Sequence, residues 1–362
     1  MSEKTKAAIA LTVLTSSVYL SGCGLLGGGE KAKIDPPADV SYLEEGEKVD
    51  VAKENSEGEV TSSTSTEEAE ATGSVMTELY LIDSNGYVVS QTMALPKTES
   101  IAKQALEYLV ADGPVQNMLP NGFKAVLPAG TQVSVNITED GTAVADFSSD
   151  FQNYQPEDET KILESVTWTL TQFDSVKKVE LRVNGYELTE MPVNGTPIDQ
   201  NGLTRKVGIN IDTSGVTDPT DTHPVTVYFV SQKGESTYYV PVTKRVSNKV
   251  DNKIQAVVQQ LIQGPGYQKN LLSDFTGVAL LDEPTVKDGQ VTLNFNEAVY
   301  GSFEEKIVSE HFMNSLVLSL TEQENVESVA IMVNGEGELV TEQGETLSEP
   351  VTRPENINTI SF

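Results

Sequence analysis

Cysteine occurs once in the 362 residues, tryptophan once and histidine twice. A lone cysteine excludes an internal disulfide framework, an iron–sulfur cluster and a cysteine-rich metal site. The histidines lie far apart in different contexts. His223 precedes Pro224 at a domain junction and reads as a solvent-facing linker residue, and His311, beside Phe312, reads as the edge of a helix face. No Gly-x-Ser-x-Gly elbow, His-Glu-x-x-His helix or phosphate loop is present. Positive charge is scarce too, with 24 Lys and Arg against 54 Asp and Glu and a formal charge of −30. That balance opposes binding to nucleic-acid backbones and docking on anionic lipid; it serves solubility or attracts a basic partner. Beyond the N-terminal region no apolar run approaches the roughly 20 residues that a membrane helix needs.

What is there begins with the position of the one cysteine. Lys4 and Lys6 form a short positive segment, and Ala7 to Leu20 is uncharged and mostly apolar, the pattern of a signal-peptide core. It ends in Leu20-Ser21-Gly22-Cys23, which fits a bacterial lipobox. In that reading Cys23 is the lipid-attachment residue, residues 1–22 are removed, and the acyl chains hold the protein on the outer face of the cell membrane. A plain secretory signal would leave the placement of the only cysteine unexplained. With Cys23 lipidated, no thiol nucleophile remains.

Residues 23–75 read as an acidic, disordered tether: Gly27-Gly28-Gly29 opens it, Pro36-Pro37 interrupts it, and Glu54 to Thr72 offers almost nothing to bury. Thereafter the chain repeats itself. Leu79-Tyr80-Leu81-Ile82 answers to Val227-Tyr228-Phe229-Val230, and Ala143 to Phe147 answers to Val291 to Phe295. Ser165 to Gly185 matches Ser315 to Gly335 without a gap, both ending in Val-Asn-Gly. The expected units are a first domain at 76–193, a linker at 194–222 rich in Gly, Asn, Asp and Thr, a second domain at 223–353 and a tail at 354–362.

Each copy predicts an α+β unit, a mixed sheet with two helices on one face, preceded by an extra strand pair. In the first copy strands are expected at 78–82 and 87–95 around Asn85-Gly86, a hairpin signal. Asp83-Ser84-Asn85-Gly86 opens like a calcium loop but lacks its later glycine and glutamate, so no metal is expected. A helix follows from Thr98 to Ala111, then strands at 132–138 and 142–147, a helix from Pro156 to Phe173, and a strand at 179–183. Ile162, Val166, Leu170 and Phe173 form the buried stripe of the second helix, with Trp168 buried at its edge. In the second copy Ile254, Val257, Val258, Leu261 and Ile262 mark the first helix, and Ser302 with Glu305 forms a capping box for the second.

Acidic residues are too abundant for a catalytic pair to be picked out by counting. Asp146 corresponds to Asn294 and Asp150 to a place near Tyr300, so a carboxylate needed there would be absent from the second copy. Glu157-Asp158-Glu159 suits a helix N-terminus. No catalytic residue and no cofactor is assigned. The last strand offers a different contrast. Its outward positions are Glu180 and Arg182 in the first copy but Ala330 and Met332 in the second. Apolar side chains on a nominally solvated face make Ala330 and Met332 a candidate protein interface, although scattered surface apolar residues need no partner.

From end to end, apart from the tether where composition rather than sequence agrees, the chain resembles the GerM family of sporulation and germination lipoproteins of endospore-forming bacteria. The resemblance is carried by Ser21-Gly22-Cys23-Gly24-Leu25, Ile34-Asp35-Pro36-Pro37, Glu78 to Asp83, Lys103 to Leu109, Leu119 to Phe123, Ser165 to Phe173 and Tyr238 to Arg245. It implies two GerM-type domains similar to ring-building motifs, with a ring or other oligomer as one outcome. It also implies a protein partner, SpoIIQ of the forespore, and a place in the channel complex between mother cell and forespore, on the mother-cell membrane facing the intermembrane space. The reading is therefore a non-enzymatic, lipid-anchored scaffold of sporulation that also affects germination. The alternative is a cell-wall lipoprotein that binds or processes peptidoglycan or germinant.

Overall fold

Asn85-Gly86 turns the chain back on itself because Gly86 takes a positive φ of 89° that L side chains avoid. The computed structural model describes residues 73–214, 219–234, 236–250, 252–302 and 306–359. The expected signal peptide, Cys23, nearly all of the expected tether and Glu305 lie outside the described residues. The first copy comprises β1 (Ser74–Ile82), β2 (Val88–Pro96), α1 (Ile101–Glu107), β3 (Val133–Ile137), β4 (Thr142–Phe147), α2 (Glu159–Leu170), β5 (Lys178–Val183) and β6 (Tyr186–Glu187). The second comprises β7 (Thr222–Lys233), β8 (Ser236–Ser247), α3 (Lys253–Gln263), β9 (Leu271–Leu272), β10 (Thr285–Lys287), β11 (Gln290–Phe295), β12 (Tyr300–Ser302), β13 (Ile307–Val308), α4 (Glu310–Thr321), β14 (Ser328–Val333), β15 (Leu339–Thr341), β16 (Thr346–Leu347) and β17 (Val351–Thr352).

The two sheets are built alike. Strand order is β3-β4-β5-β6 in the first domain and β10-β11-β14-β17 in the second. The central pairs β4–β5 and β11–β14 are parallel and the outer pairs antiparallel. Strict alternation in β5 and β14 sends Val179, Leu181 and Val183, or Val329, Ile331 and Val333, into the core beneath the helices. Each β5 or β14 ends in an Asn-Gly turn, with Asn184 and Asn334 at φ near 50° (51° and 50°) and Gly185 and Gly335 at 82°, the double left-handed geometry of a type I′ hairpin. Asp146 and Asn294 do the same work there: each accepts the glycine N–H, at 3.0 and 2.9 Å.

The second helix of each domain is buried on more than the expected stripe. Ile162, Val166 and Leu170 face the sheet, yet Ser165, Thr167, Trp168 and Thr169 are buried as well, because the β1–β2 hairpin covers the opposite side. The polar stripe Ser165, Thr169, Gln172 lies against the free edge of β1 and completes its hydrogen bonding. Thr169 Oγ1 accepts from Tyr80 N–H at 3.2 Å, Gln172 Oε1 accepts from Glu78 N–H at 2.9 Å, and Ser165 Oγ donates to the Tyr80 carbonyl. In the second domain Ser319 Oγ accepts from Tyr228 N–H at 2.8 Å. Side chains of a helix thus stand in for a missing strand, which removes an exposed edge.

Three local expectations are corrected. The first helix ends at Glu107 rather than Ala111, because Leu109 and Ala111 turn to pair with Val126 and Leu127. The cap of α4 is Ser309, which accepts from Phe312 N–H at 3.4 Å, and not Ser302, which ends β12. His223 lies at the start of the β7–β8 ladder opposite Val246, not in a linker, with Nδ1 3.0 Å from Asn248 Oδ1.

The stretch 194–222 is more than a connector, and residues 354–358 are more than a tail. Val179 exchanges two 2.8 Å backbone hydrogen bonds with Leu203, as Val329 pairs with Val351. From these points the chain runs through Arg205 to Ile209-Asn210, and through Arg353 to Ile357-Asn358. Both isoleucines are buried and both asparagines have positive φ, 48° and 54°. The two arms then exchange grips. Ile209 N–H donates to Thr243 Oγ1 at 2.8 Å in the second domain's hairpin, and Ile357 N–H donates to Thr92 Oγ1 at 3.1 Å in the first domain's. Asn210 accepts from Val88 N–H at 2.8 Å and donates to Val88 O and Pro241 O; Asn358 accepts from Tyr239 N–H at 2.7 Å and donates to Tyr239 O and Ser90 O. Strands β2 and β8 are therefore bridged by two asparagines related by a pseudo-twofold axis, an isologous interface made within one chain.

Candidate interaction surfaces on the open sheet faces

Because helices cover one face of each sheet, the other face is where the two domains can differ without damage to their cores. Register fixes what lies there. In the first domain Val144 sits opposite Glu180 and Asp146 opposite Arg182; in the second Thr292 sits opposite Ala330 and Asn294 opposite Met332. The chain after each Asn-Gly turn folds back over this face and makes it a groove.

The first domain's groove, of about 310 Å³, is walled by Glu187, Leu188 and residues 198–202. Its floor is charged and self-neutralised. Arg182 donates to Glu180 Oε1 through two nitrogens at 2.6 and 2.8 Å, and Lys178 lies 3.7 Å from Asp140. Hydroxyl hydrogen bonds from Thr138 and Thr142 hold the Asp140 carboxyl at about 2.

The second domain's groove, of about 330 Å³, has Gln290, Thr292, Ala330 and Met332 on its floor and Leu339, Leu347, Pro350 and Val351 in its wall. Ala330 and Met332, paired by sequence as a candidate interface, are thus side by side in one concavity, half-buried rather than freely exposed. No charged side chain lies on that floor; Glu349 stands at the rim. Cys23, the expected lipid-attachment residue, lies outside the described residues.

The carboxylates weighed for catalysis have structural partners. Asp150 accepts from Ser148 Oγ at 3.1 Å. Glu159 accepts from Tyr154 and from the N–H groups of Asn194 and Thr196, and it pins the loop at 193–196. Burial alone would raise its pKa, but these hydrogen bonds hold it at about 2. Asp83 accepts from Asn85 N–H and Tyr87 N–H at 2.8 Å and from the second domain's Tyr238 hydroxyl at 2.7 Å, so it serves a turn and the domain contact. His311 meets Tyr239 at 3.3 Å on the first turn of α4, remote in sequence and partners from His223. Among the described residues no group of His, Cys, Asp and Glu has the arrangement of a metal site, and no helix is long and apolar enough to cross a membrane.

Sequence reasoning missed the residues that join the domains. The signal was available: Arg205-x-x-x-Ile209-Asn210 recurs as Arg353-x-x-x-Ile357-Asn358, at the spacing that relates Leu79 to Val227. Arg205 stacks 4.5 Å from the Trp168 ring centroid and bonds Glu322 at 2.7 Å, while Arg353 lies 3.5 Å from the same carboxylate. Burial would raise the Glu322 pKa, but the two guanidinium groups hold it below the ordinary range.

Comparison with known proteins agrees with the duplicated architecture. A family model described as "Germane: Sporulation and spore germination" matches twice, at residues 78–189 and 226–338. The chain is 53% identical over its whole length to the full length of the spore germination protein GerM of Bacillus subtilis (strain 168). It is also similar to the solved tandem GerMN domains of the sporulation protein GerM from Bacillus subtilis. That likeness has a TM-score of 0.75 and 57% identity, and it covers 79% of this chain and all of that one.

Proposed function

The chain belongs to the Germane family of sporulation and spore germination proteins, and from that premise we propose that it is a non-enzymatic scaffold lipoprotein. It is anchored through Cys23 to the outer face of the cell membrane, and in sporulating cells it faces the space between mother cell and forespore. Its work is to recruit protein partners of the channel assembly there, as its resemblance to the GerM family implies. The observation that supports recruitment through the second domain is the replacement of an ion pair by Ala330 and Met332 on the floor of a groove. An apolar floor in a solvated groove is stabilised when a partner covers it. The bridged hairpins tie the two domains to each other, which suits a scaffold better than two unconnected modules.

The test is to place charge on the floor as Ala330→Glu with Met332→Arg and to follow partner capture from sporulating cells beside thermal unfolding. Normal unfolding with lost capture is expected; unchanged capture would refute docking at this groove. Anchoring is tested separately. Cys23→Ala protein should leave the membrane fraction, and if it stays processed and membrane-bound the lipid reading fails.

A further inference from the structure

We propose that the second domain's groove takes a short polypeptide segment carrying an aliphatic side chain flanked by lysine or arginine. This rests on reading the groove as the docking surface and adds the chemistry of what docks. A volume of about 330 Å³ is at the low end of ligand pockets, so it suits a few side chains rather than a folded surface. Ala330, Met332, Leu347 and Pro350 set the apolar part of the recognition. The charge comes from the arm that forms the wall. Between Val333 and Thr352 the sequence has five glutamates and no lysine or arginine.

All five, Glu336, Glu338, Glu342, Glu345 and Glu349, are exposed. Glu336 is taken by Lys306 at 2.9 Å, and Glu342 accepts from Glu310 N–H at 3.3 Å. Glu338, Glu345 and Glu349 have no side-chain partner among the described residues. On the outward face of the sheet the one cation is Lys287, on the edge strand beyond Gln290. The equivalent groove in the first domain differs in kind, since Lys178 and Arg182 lie on its floor and are matched by Asp140 and Glu180. Glu349 at the rim, on an arm that carries four more glutamates, opposes phosphate-bearing ligands, and together with Ala330 and Met332 on the floor it selects apolar side chains with basic neighbours.

The chain's charge of −30 would attract any cation, so the test must separate the groove from the general field. A fluorescent nine-residue peptide alternating lysine and leucine is titrated with the full chain in detergent, beside its glutamate–leucine and lysine–serine counterparts. Only the first should bind well. The triple variant Glu338→Gln, Glu345→Gln, Glu349→Gln on the exposed arm should weaken binding roughly tenfold, and Met332→Ser by a similar factor. The first-domain triple Glu187→Gln, Glu190→Gln, Asp199→Asn removes as much charge and should change binding by less than about twofold. Equal losses from both triples, equal binding of the glutamate–leucine peptide, or no binding would overturn the inference. If the peptide fails while Ala330→Glu with Met332→Arg still abolishes partner capture, the groove docks a partner of other chemistry. If capture is also unaffected, the docking reading falls with it.

Discussion

At one place on the open sheet the first domain puts Arg182 against Glu180 at 2.6 Å, and the second domain puts Met332 and Ala330. Beneath that face the domains agree down to single hydrogen bonds, including the helix-to-hairpin bonds of Thr169 and Ser319 and the turn bonds of Asp146 and Asn294. The sheet cores and the asparagine bridges were held while the exposed face diverged. That pattern is the ground for the docking role proposed for the second domain's sheet face, and the shared buried polar residues belong to the architecture. The helices add a second contrast. Trp168 is replaced by Leu318 and Gln172 by Glu322, so the pseudo-symmetry is also broken inside the molecule: Gln172 bonds Glu78, whereas Glu322 pairs with both Arg205 and Arg353.

The comparison can be broken most severely at Trp168, which is fully buried, donates from Nε1 to Gly208 O at 3.0 Å, and packs 5.6 Å from Tyr80. Trp168→Ala should cost about 3–5 kcal/mol in urea unfolding. Trp168→Leu, which copies the second domain, should cost less but leave a cavity and lose the indole hydrogen bond to Gly208 O. Next come the two bridging asparagines. Asn210→Ala and Asn358→Ala should each cost about 3 kcal/mol, because each strands buried backbone groups and forces a positive φ on alanine. Equal losses would establish the twofold relation energetically; a negligible effect of Asn358→Ala would refute the role of the C-terminal arm.

A subtler contrast is Glu164, whose counterpart is the neutral Asn314. Burial raises the Glu164 pKa to about 7, against the pull of Asn210 N–H at 3.1 Å and of Lys161. The folded state therefore holds a proton that the unfolded chain releases from about pH 4.5. Stability from this group is present below that pH and is lost as pH rises toward 7. Glu164→Gln should flatten that slope and gain on the order of 2 kcal/mol at pH 8. An unchanged slope between pH 5 and 8 would count against it. The smallest effect is expected for Asp146→Asn, which copies Asn294 and keeps the oxygen that accepts Gly185 N–H. A melting shift equivalent to more than about 0.5 kcal/mol would mean that Asp146 does something Asn294 does not.

The sequence is enough to give away the duplication, the order of the main elements and the inward sets of both last strands. These follow from short-range rules: alternation with period two, and Asn-Gly pairs that meet the positive φ a tight hairpin demands. It also placed Ala330 and Met332 on the outward side, because register along one strand is a local property. It did not reveal that Ser165 and Thr169 on the helix are buried, with Gln172 just beyond it bonded to the same strand edge. Polar residues at helical spacing look solvated until a strand edge that needs hydrogen bonds is set against them. Nor did it reveal the groove, whose wall comes from the arm beyond Gly335, or the crossed grips of Ile209-Asn210 and Ile357-Asn358. Those arms are too short to carry a periodic signal, and their partners Thr243 and Thr92 belong to the opposite domain. Only the tertiary structure decides which distant backbone groups meet, because each must find a hydrogen-bond partner once water is excluded, and that accounting closes only over the whole fold.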